Sequence, residues 1–401
     1  MIELAGRYPV TFTHRHRSDR KIAPDFPVPN PMEQLYQRFI KALPISDAPA
    51  DQHLHLLSPA ELHRVRKTER WAQLVSVLIE LAAYLVIFIP LYAFPDFFDS
   101  GRVSLGGPFV GFDTSLEWGR NGWMLLVTLA ELYLLLMLNL AAVHGIAVAT
   151  GFIRQEQRTE QATHLIRIAL ERKFEEQQSL GLNPLQGMTP WLIFLFLLFN
   201  RFKGLIGSVI IRAALTNLFG REILRVYLDF SGMPFYMLIN VLTTRAILHN
   251  ARVIIMGQTA IELMQRQFPN LALDAWEREL LYDTLQFIAI NKRDFHANHY
   301  YLARAFLEHY SIPVKPEHTL PGDYLHKLKQ ARKPVADLCR LGIVTGFLLD
   351  GRVSGRELQQ LDRLRRLGLV DVTPGELKAF ARAFVDGQGL SGLMDRYLPD
   401  H

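Results

Sequence analysis

The fold is decided by two apolar stretches, WAQLVSVLIELAAYLVIFIPLYAF from Trp71 to Phe94 and WMLLVTLAELYLLLMLNLAAVHGIAVAT from Trp123 to Thr150. At a rise of about 1.5 Å per residue, about 23 helical residues reach about 35 Å, which is enough to cross a hydrocarbon core about 30 Å thick. Each stretch contains a single carboxylate, Glu80 in the first and Glu131 in the second. We therefore predict two transmembrane helices, each with one acidic residue near its middle.

Basic residues cluster on one side of this pair of stretches. They precede the first stretch and follow the second, whereas acidic residues outnumber basic ones in the connecting loop. The flanking basic residues are Arg64, Arg66, Lys67, Arg70, Arg154 and Arg158. Because cytoplasmic loops are enriched in Lys and Arg, both ends of the hairpin are expected in the cytoplasm. The opening 60 residues contain no apolar core of signal-peptide length. The sequence thus predicts a multi-pass protein of a bacterial inner (plasma) membrane with both termini cytoplasmic.

The overall composition agrees with a chain that is part membrane-embedded and part water-soluble. Of its 401 residues, 49% are hydrophobic and 21% are charged, and the net charge is +5. The positive charge is spread over many segments, which suits an anionic membrane surface, and no nucleic-acid-binding motif is visible. The single cysteine, Cys339, lies among apolar residues, so we expect a buried and unreactive thiol.

Changes in composition and helix-start signals divide the chain into four parts. Capping-box spacing begins at Ser58, Asp274 and Ser354, and Thr373 is followed by proline and a later glutamate. The parts are an extended basic N-terminal arm (1–57), the transmembrane hairpin with cytoplasmic helical extensions (58–188), a membrane-embedded or interfacial helical hairpin (189–257), and a cytoplasmic helical domain (258–401).

The third part leaves two structures open. Gly204, Ser208, Arg212, Thr216 and Gly220 recur at every fourth residue, which would line small and polar groups along one helix face and permit close packing. A turn is expected at 231–234, followed by a second apolar helix. The segment is therefore either a second transmembrane hairpin or a pair of amphipathic helices at the membrane interface.

Polar residues within the apolar segments form the first set of candidate functional residues. A charged side chain at the bilayer centre costs about 2.5 to 3.5 kcal/mol on insertion scales. Each such residue must therefore have a polar partner within the protein or serve a function. Glu80 and Glu131 are expected to face other helices, either on an ion path or in a structural role, in which each is neutral or paired with an arginine such as Arg212 or Arg245. The set consists of Glu80, Glu131, Arg212, Asn240, Arg245 and His249.

A second candidate set consists of basic residues that could bind anionic lipid headgroups. Guanidinium groups bind phosphate in a two-pronged geometry, and a headgroup is the nearest phosphate to such residues. The alternative is that these side chains extend to the interface or pair with nearby acids. The set consists of Arg201, Lys203, Arg221, Arg225 and Arg252.

Two pairs of residues could bind a metal ion. His296 and His299 have His-x-x-His spacing, but on a helix this spacing more often gives a packed or solvated pair. Asp350 and Glu357 belong to the stretch LLDGRVSGRE from Leu348 to Glu357. That stretch resembles TerB-like helical domains, in which an Asp-Gly turn precedes a Ser-x-x-Glu helix start. The resemblance covers about 341–388 and implies metal binding by acidic residues. A turn and a helix cap explain the same residues without a metal.

The sequence therefore predicts an all-α, polytopic membrane protein with two transmembrane helices, two further candidate spans and a C-terminal cytoplasmic helical domain. The leading function is a membrane-anchored scaffold or sensor that meets a protein partner or a second copy of itself, with no cofactor and no nucleic acid. The alternatives are a channel or transporter and a protein that binds lipid headgroups. An enzyme is less favoured, because no set of nucleophile, base and metal ligands can be assembled from the motifs.

Overall fold

The computed structural model describes residues 57–99, 102–104, 115–152, 180–182, 186, 222–293, 296–315 and 317–398. These residues are mainly helical, as the sequence predicts. The elements are α1 (Pro59–Ala93), α2 (Pro95–Asp99), β1 (Arg102–Ser104), β2 (Ser115–Glu117), α3 (Trp118–Ala149), α4 (Glu222–Arg266), α5 (Ala275–Lys292), α6 (Ala297–His309), α7 (Tyr324–Gln330), α8 (Lys333–Leu348), α9 (Gly355–Arg366), α10 (Pro374–Val385) and α11 (Ser391–Tyr397). The N-terminal arm and the extension at 153–179 lie outside the described residues.

Helix α1 begins where the capping signal predicts. The Ser58 side chain accepts a hydrogen bond from the Glu61 backbone N–H, and the Glu61 carboxylate accepts one from the Ser58 backbone N–H at 2.8 Å. The helix continues through Pro90, which has no N–H to donate to the Val86 carbonyl. Trp123 Nε1 donates to that carbonyl at 3.1 Å. A side chain of α3 thus replaces the hydrogen bond that the proline removes from α1.

Helices α1, α3 and α4 pack against one another in a bundle that we call the three-helix bundle. Its outward face is apolar: the exposed large side chains include Trp71, Leu74, Leu78, Leu85, Val86 and Ile89 on α1, Leu125, Leu126, Leu129, Tyr133 and Leu134 on α3, and Leu238, Ile239 and Leu242 on α4. The two ends of the bundle differ. At one end, the strands β1 and β2, which lie between α1 and α3 in the chain, pair in antiparallel orientation. At the other end, α3 ends at Ala149 and Gly151 follows with a φ of 68°.

Two of these helices are long and apolar enough to cross a membrane, namely α1 and the Gly122–Ala149 part of α3. The most apolar window of α1 is only 22% buried within the protein, and that of α3 is 44% buried. The core helix of a water-soluble protein would be mostly buried. The fold therefore leaves most of the apolar surface of α1 without a protein partner among the described residues.

Helix α4 differs from the sequence prediction. The expected turn at 231–234 is wrong, because one continuous helix of 45 residues runs from Glu222 to Arg266 with Pro234 inside it. A single proline removes one backbone hydrogen bond, and packing of α4 against α1 and α3 stabilises the helical conformation beyond it. The other half of the expected hairpin, with the four-residue repeat from Gly204 to Gly220, lies outside the described residues.

The boundary expected at 257/258 also falls inside α4. The C-terminal half of this helix enters the core formed by α5 to α11, which we call the C-terminal helices. Asn298, which is fully buried, donates to the Val253 carbonyl at 2.9 Å and to the Leu349 carbonyl at 2.7 Å. Gly257 permits this approach, since a Cβ there would lie 2.0 Å from Asn298 Nδ2. One continuous helix thus belongs both to the three-helix bundle and to the C-terminal core.

The helix starts predicted for the C-terminal helices are confirmed. Asp274, Ser354 and Thr373 each form a complete capping box with the glutamate three residues later, at the beginnings of α5, α9 and α10. Cys339 is fully buried in α8, and burial raises the pKa of its thiol to about 12. The thiol is therefore protonated at neutral pH, as expected for an unreactive cysteine.

Candidate functional site

The carboxylates Glu80 and Glu131 meet at the centre of the three-helix bundle. Asn240 of α4 lies between them, and its side-chain amide nitrogen donates to Glu80 Oε2 and, at 3.3 Å, to Glu131 Oε1. The exposed fractions of Glu80, Glu131 and Asn240 are 4%, 4% and 7%. Each helix of the bundle contributes one member of this Glu80–Asn240–Glu131 cluster. Both carboxylates therefore face other helices, as the cost of exposing them to hydrocarbon led us to expect.

The chemistry of this cluster follows from its donors and acceptors. An Asn amide nitrogen has two N–H groups, so it can donate one to each carboxylate, but it carries no charge. Asn240 consequently satisfies hydrogen-bond acceptors without neutralising them. Two carboxyl groups joined in this way can hold a proton or a small cation between helices, and they also fix the register of the three helices against one another.

The arginines proposed as partners of the carboxylates have different places. Arg212 lies outside the described residues, and Arg245 lies on an exposed part of α4, more than one turn beyond Asn240. His249 is half-buried on the same helix. Asn240, rather than Arg245, is the described residue that bonds to both carboxylates. An amide thus bonds to both carboxylates, and the pairing expected with Arg212 stays a prediction.

The basic candidates for headgroup binding are only partly described. Arg252 lies 3.5 Å from Glu69 of α1, and both side chains are largely buried. Its guanidinium group thus faces α1, and the expectation that it faces a lipid headgroup needs correction. Because Asn240 lies beside Glu80, and Arg252, further along α4, lies beside the earlier residue Glu69, α4 runs antiparallel to α1. Arg201, Lys203, Arg221 and the side chain of Arg225 lie outside the described residues.

A lysine occupies the position between the acidic residues that were candidates for metal binding. Lys292 Nζ lies 2.8 Å from Asp350 Oδ1 and 2.7 Å from Glu357 Oε1, and it donates to the Phe347 carbonyl at 2.8 Å. Burial raises the pKa of the Glu357 carboxyl, although the Lys292 ammonium acts in the opposite direction. A metal at this position would have to displace a buried ammonium group. The structure thus pairs Asp350 and Glu357 with Lys292.

His296 and His299 form a helix cap. His296 precedes α6, and its ring accepts from the Asn298 backbone N–H, while His299 Nδ1 accepts from the His296 backbone N–H at 3.0 Å. The second ring nitrogens lie 3.0 Å from Asn250 Oδ1 and 2.7 Å from the Gly346 carbonyl, respectively. All four ring nitrogens are therefore engaged within the protein, which explains the pair without a metal.

The buried imidazole of His299 predicts a loss of stability in mild acid. Burial, with a smaller effect of Lys292, lowers its pKa from 6.5 to about 3, so the native state keeps it neutral. Below pH 6.5 the unfolded chain binds a proton there that the folded chain does not, and stability falls. Lowering the pH from 7 to 5 should therefore reduce the free energy of unfolding by about 2 kcal/mol through this residue. We expect the pH slope of the melting temperature to be smaller in His299→Gln than in the wild type. Equal slopes would contradict this assignment.

One cluster was missed by the sequence analysis. Glu279 and Asp283 lie one turn apart on α5, and their side chains meet His318, which follows α6. His318 Nε2 lies 2.8 Å from Asp283 Oδ1, and His318 Nδ1 lies 3.8 Å from Glu279 Oε1. The i, i+4 acidic pair is visible in the sequence, but nothing in the spacing connects it to a histidine so much later in the chain. We call these residues the Glu279–Asp283–His318 cluster.

A short upstream segment is attached beside this cluster. The His318 backbone N–H donates to the Gly181 carbonyl at 2.8 Å, and the Tyr282 hydroxyl donates to the Leu180 carbonyl at 2.6 Å. The Gln186 side chain accepts from the Leu320 backbone N–H at 3.0 Å. These bonds attach residues 180–182 and Gln186, which lie between α3 and α4 in the chain, to the C-terminal helices.

Comparison with known proteins gives no relative from which a site could be transferred. No family model matches the chain, and neither a curated protein nor a solved structure matches it.

Proposed function

We propose that this chain is a membrane-anchored scaffold or sensor, in which the three-helix bundle lies in a bilayer and the C-terminal helices meet a protein partner in the cytoplasm. The observation that carries the proposal is the distribution of side chains in the bundle. Large apolar residues cover its outside, while Glu80, Glu131 and Asn240 bond to one another inside. This arrangement suits a hydrocarbon surround, in which polar groups must find partners within the protein.

The positions of the basic residues support the same placement. Arg64, Arg66, Lys67 and Arg70 precede Trp71 in α1, directly before the apolar surface begins, and all four side chains are exposed. Exposed cations of this kind suit the cytoplasmic interface of a bilayer. The bundle end that carries these residues is also the end joined to the C-terminal helices, which favours a cytoplasmic position for α5 to α11.

The connections between the two parts favour a sensor or a rigid scaffold over a loosely tethered domain. Helix α4 enters the C-terminal core without a break, and the start of α1 is fixed to the same core. The Leu57 backbone N–H donates to the Gly387 carbonyl at 2.7 Å, and Arg66 lies 3.5 Å from Asp386. A rearrangement of the bundle would therefore move the C-terminal helices with it.

A surface suited to a partner lies on the C-terminal helices. A groove between α8, α9 and α11 is lined by charged side chains of both signs, several of which are paired with each other, such as Arg340 with Asp337 and Arg366 with Asp362. Mixed charge on an accessible groove suits a polar protein partner. The Glu80–Asn240–Glu131 cluster is also where a channel or transporter would bind its ion, and that alternative stays a prediction.

Site-directed cysteine labelling tests the membrane placement. In a Cys339→Ser background, single cysteines would be introduced at Ser115 in the β1–β2 hairpin, at Arg225 near the start of α4, and at His326 on the exposed face of α7. We expect a membrane-impermeant reagent to label Ser115→Cys and Arg225→Cys from one side of the membrane and His326→Cys from the other, because α1 and α4 run in opposite directions.

Two outcomes would contradict the proposal. Labelling of Arg225→Cys and His326→Cys from the same side would show that α4 does not cross the bilayer. Release of the wild-type chain from membranes by alkaline carbonate would show that the bundle is not embedded at all.

A further inference from the structure

The Glu279–Asp283–His318 cluster has a carboxylate oxygen that the protein leaves unused. Asp283 is 1% exposed, and its Oδ1 is paired with His318, whereas its Oδ2 is buried without a hydrogen-bond partner among the described residues. A buried carboxylate oxygen without a donor is costly, because it loses its hydration and gains nothing in return. A cation bound at this position could therefore coordinate Asp283 Oδ2.

The three side chains can supply a set of metal ligands. One ligand atom from each of Glu279, Asp283 and His318 lies within 4.8 Å of the others. Ligand atoms in a tetrahedral zinc site lie about 3.3 Å apart, given bonds of about 2.0 to 2.1 Å, so small side-chain movements would close the set. One imidazole and two carboxylates suit a divalent transition metal, and the two negative charges would balance it.

The histidine is held in position by its surroundings. Its backbone N–H donates to Gly181, and its ring packs on the Tyr282 ring with a centroid distance of 4.3 Å. The site opens to solvent at Glu279, whose side chain is 42% exposed. A buried, oriented imidazole and carboxylate with one exposed ligand give a metal both a fixed site and a path from solvent.

The exposed member of the cluster, Glu279, forms an ion pair with a lysine. Lys315 Nζ lies 2.6 Å from both carboxylate oxygens of Glu279, and its side chain is 41% exposed. Because it is exposed, this side chain can leave the carboxylate at little cost when a stronger cation arrives. Lys315 thus competes with a metal for Glu279, in contrast to Lys292, which is buried between its two acidic partners.

We propose that Glu279, Asp283 and His318 form a binding site for a divalent transition metal of the zinc class, open to solvent at Glu279 and completed by water. The site lies where residues 180–182 are attached to α5, so a bound ion would hold His318, and with it that segment, against the C-terminal helices.

Titration of the purified full-length chain with Zn²⁺ by isothermal calorimetry tests the site, and Co²⁺ provides an absorption spectrum that reports ligand geometry. We expect His318→Ala to weaken binding more than a hundredfold and Glu279→Gln to weaken it about tenfold. Lys315→Gln should tighten binding, by about fivefold, because the competing ammonium is gone. Glu279 and Lys315 are both partly exposed, so these two variants should fold even if His318→Ala does not.

His326→Ala is the matched control, since this histidine is exposed on the neighbouring helix α7 and should leave the affinity unchanged. Absence of Zn²⁺ binding by the wild type would overturn the proposal. So would binding that is equally strong in the wild type, Glu279→Gln and Lys315→Gln, because the ion would then be held elsewhere in the chain. Opposite changes in the Glu279 and Lys315 variants would support the site.

Discussion

Replacing Asn240 with aspartate should destabilise the three-helix bundle by about 3 kcal/mol, close to the cost of breaking a buried polar pair. The new side chain has the same shape, but it lacks the amide N–H groups that bond to Glu80 and Glu131. It also adds a third carboxyl group to a buried cluster, where like charges repel strongly. The expected result is a lower melting temperature in detergent and loss of the monodisperse peak in size-exclusion chromatography.

The double variant Asn240→Asp with Glu131→Gln is the control for this effect. It restores the original number of carboxyl groups and returns one amide donor to the cluster, so it should recover a large part of the lost stability. An Asn240→Asp protein as stable as the wild type would show that the cluster does not hold the helices together. A double variant that is no better than the single one would assign the loss to some cause other than the hydrogen bonds.

Replacing Lys292 with methionine should have an effect of similar size in the C-terminal helices. The ammonium group is almost fully buried between Asp350 and Glu357, and its removal leaves two carboxylates close together without their cation. Breaking a buried ion pair on one side costs about 3 to 5 kcal/mol. We expect this loss in the unfolding free energy measured by urea denaturation, followed through the helical circular dichroism signal.

Lys327→Met is the matched control for Lys292→Met. Lys327 forms an ion pair of 3.2 Å with Asp323 on the surface, and such exposed pairs contribute about 0 to 1 kcal/mol. A triple variant, Lys292→Met with Asp350→Asn and Glu357→Gln, removes all three charges and should recover stability relative to Lys292→Met alone. Equal denaturation midpoints for Lys292→Met and Lys327→Met would contradict the importance of the buried pair.

Local signals in the sequence predict the helix starts well. Ser58, Asp274, Ser354 and Thr373 each begin a helix, because a capping box needs only residues three apart in the chain. The apolar stretches likewise predict α1 and α3, since their composition and length are properties of one continuous segment. The prediction of a turn at 231–234 was wrong, because α4 continues through Pro234 and its packing against α1 and α3 stabilises the helix beyond the proline.

Partners distant in the chain could not be predicted from spacing. The sequence identifies Glu80 and Glu131 as residues in need of compensation, but their common partner Asn240 lies 160 and 109 residues away. Lys292 in the same way fills the position between Asp350 and Glu357 from a helix that precedes both. Only the packing of helices decides which polar group reaches which. The resemblance of 341–388 to TerB-like domains stays a prediction.

The length of α4 has a mechanical consequence. A helix of 45 residues is about 68 Å long, and the distance from Asn240 to Gly257 along its axis is about 26 Å. Between these residues no proline interrupts the helix, so this part acts as a lever arm. A tilt of about 5° at Asn240 would displace Gly257 by about 2 Å. The Gly257 backbone lies against the Asn298 side chain, so a tilt of this size would have to rearrange the hydrogen bonds that Asn298 makes.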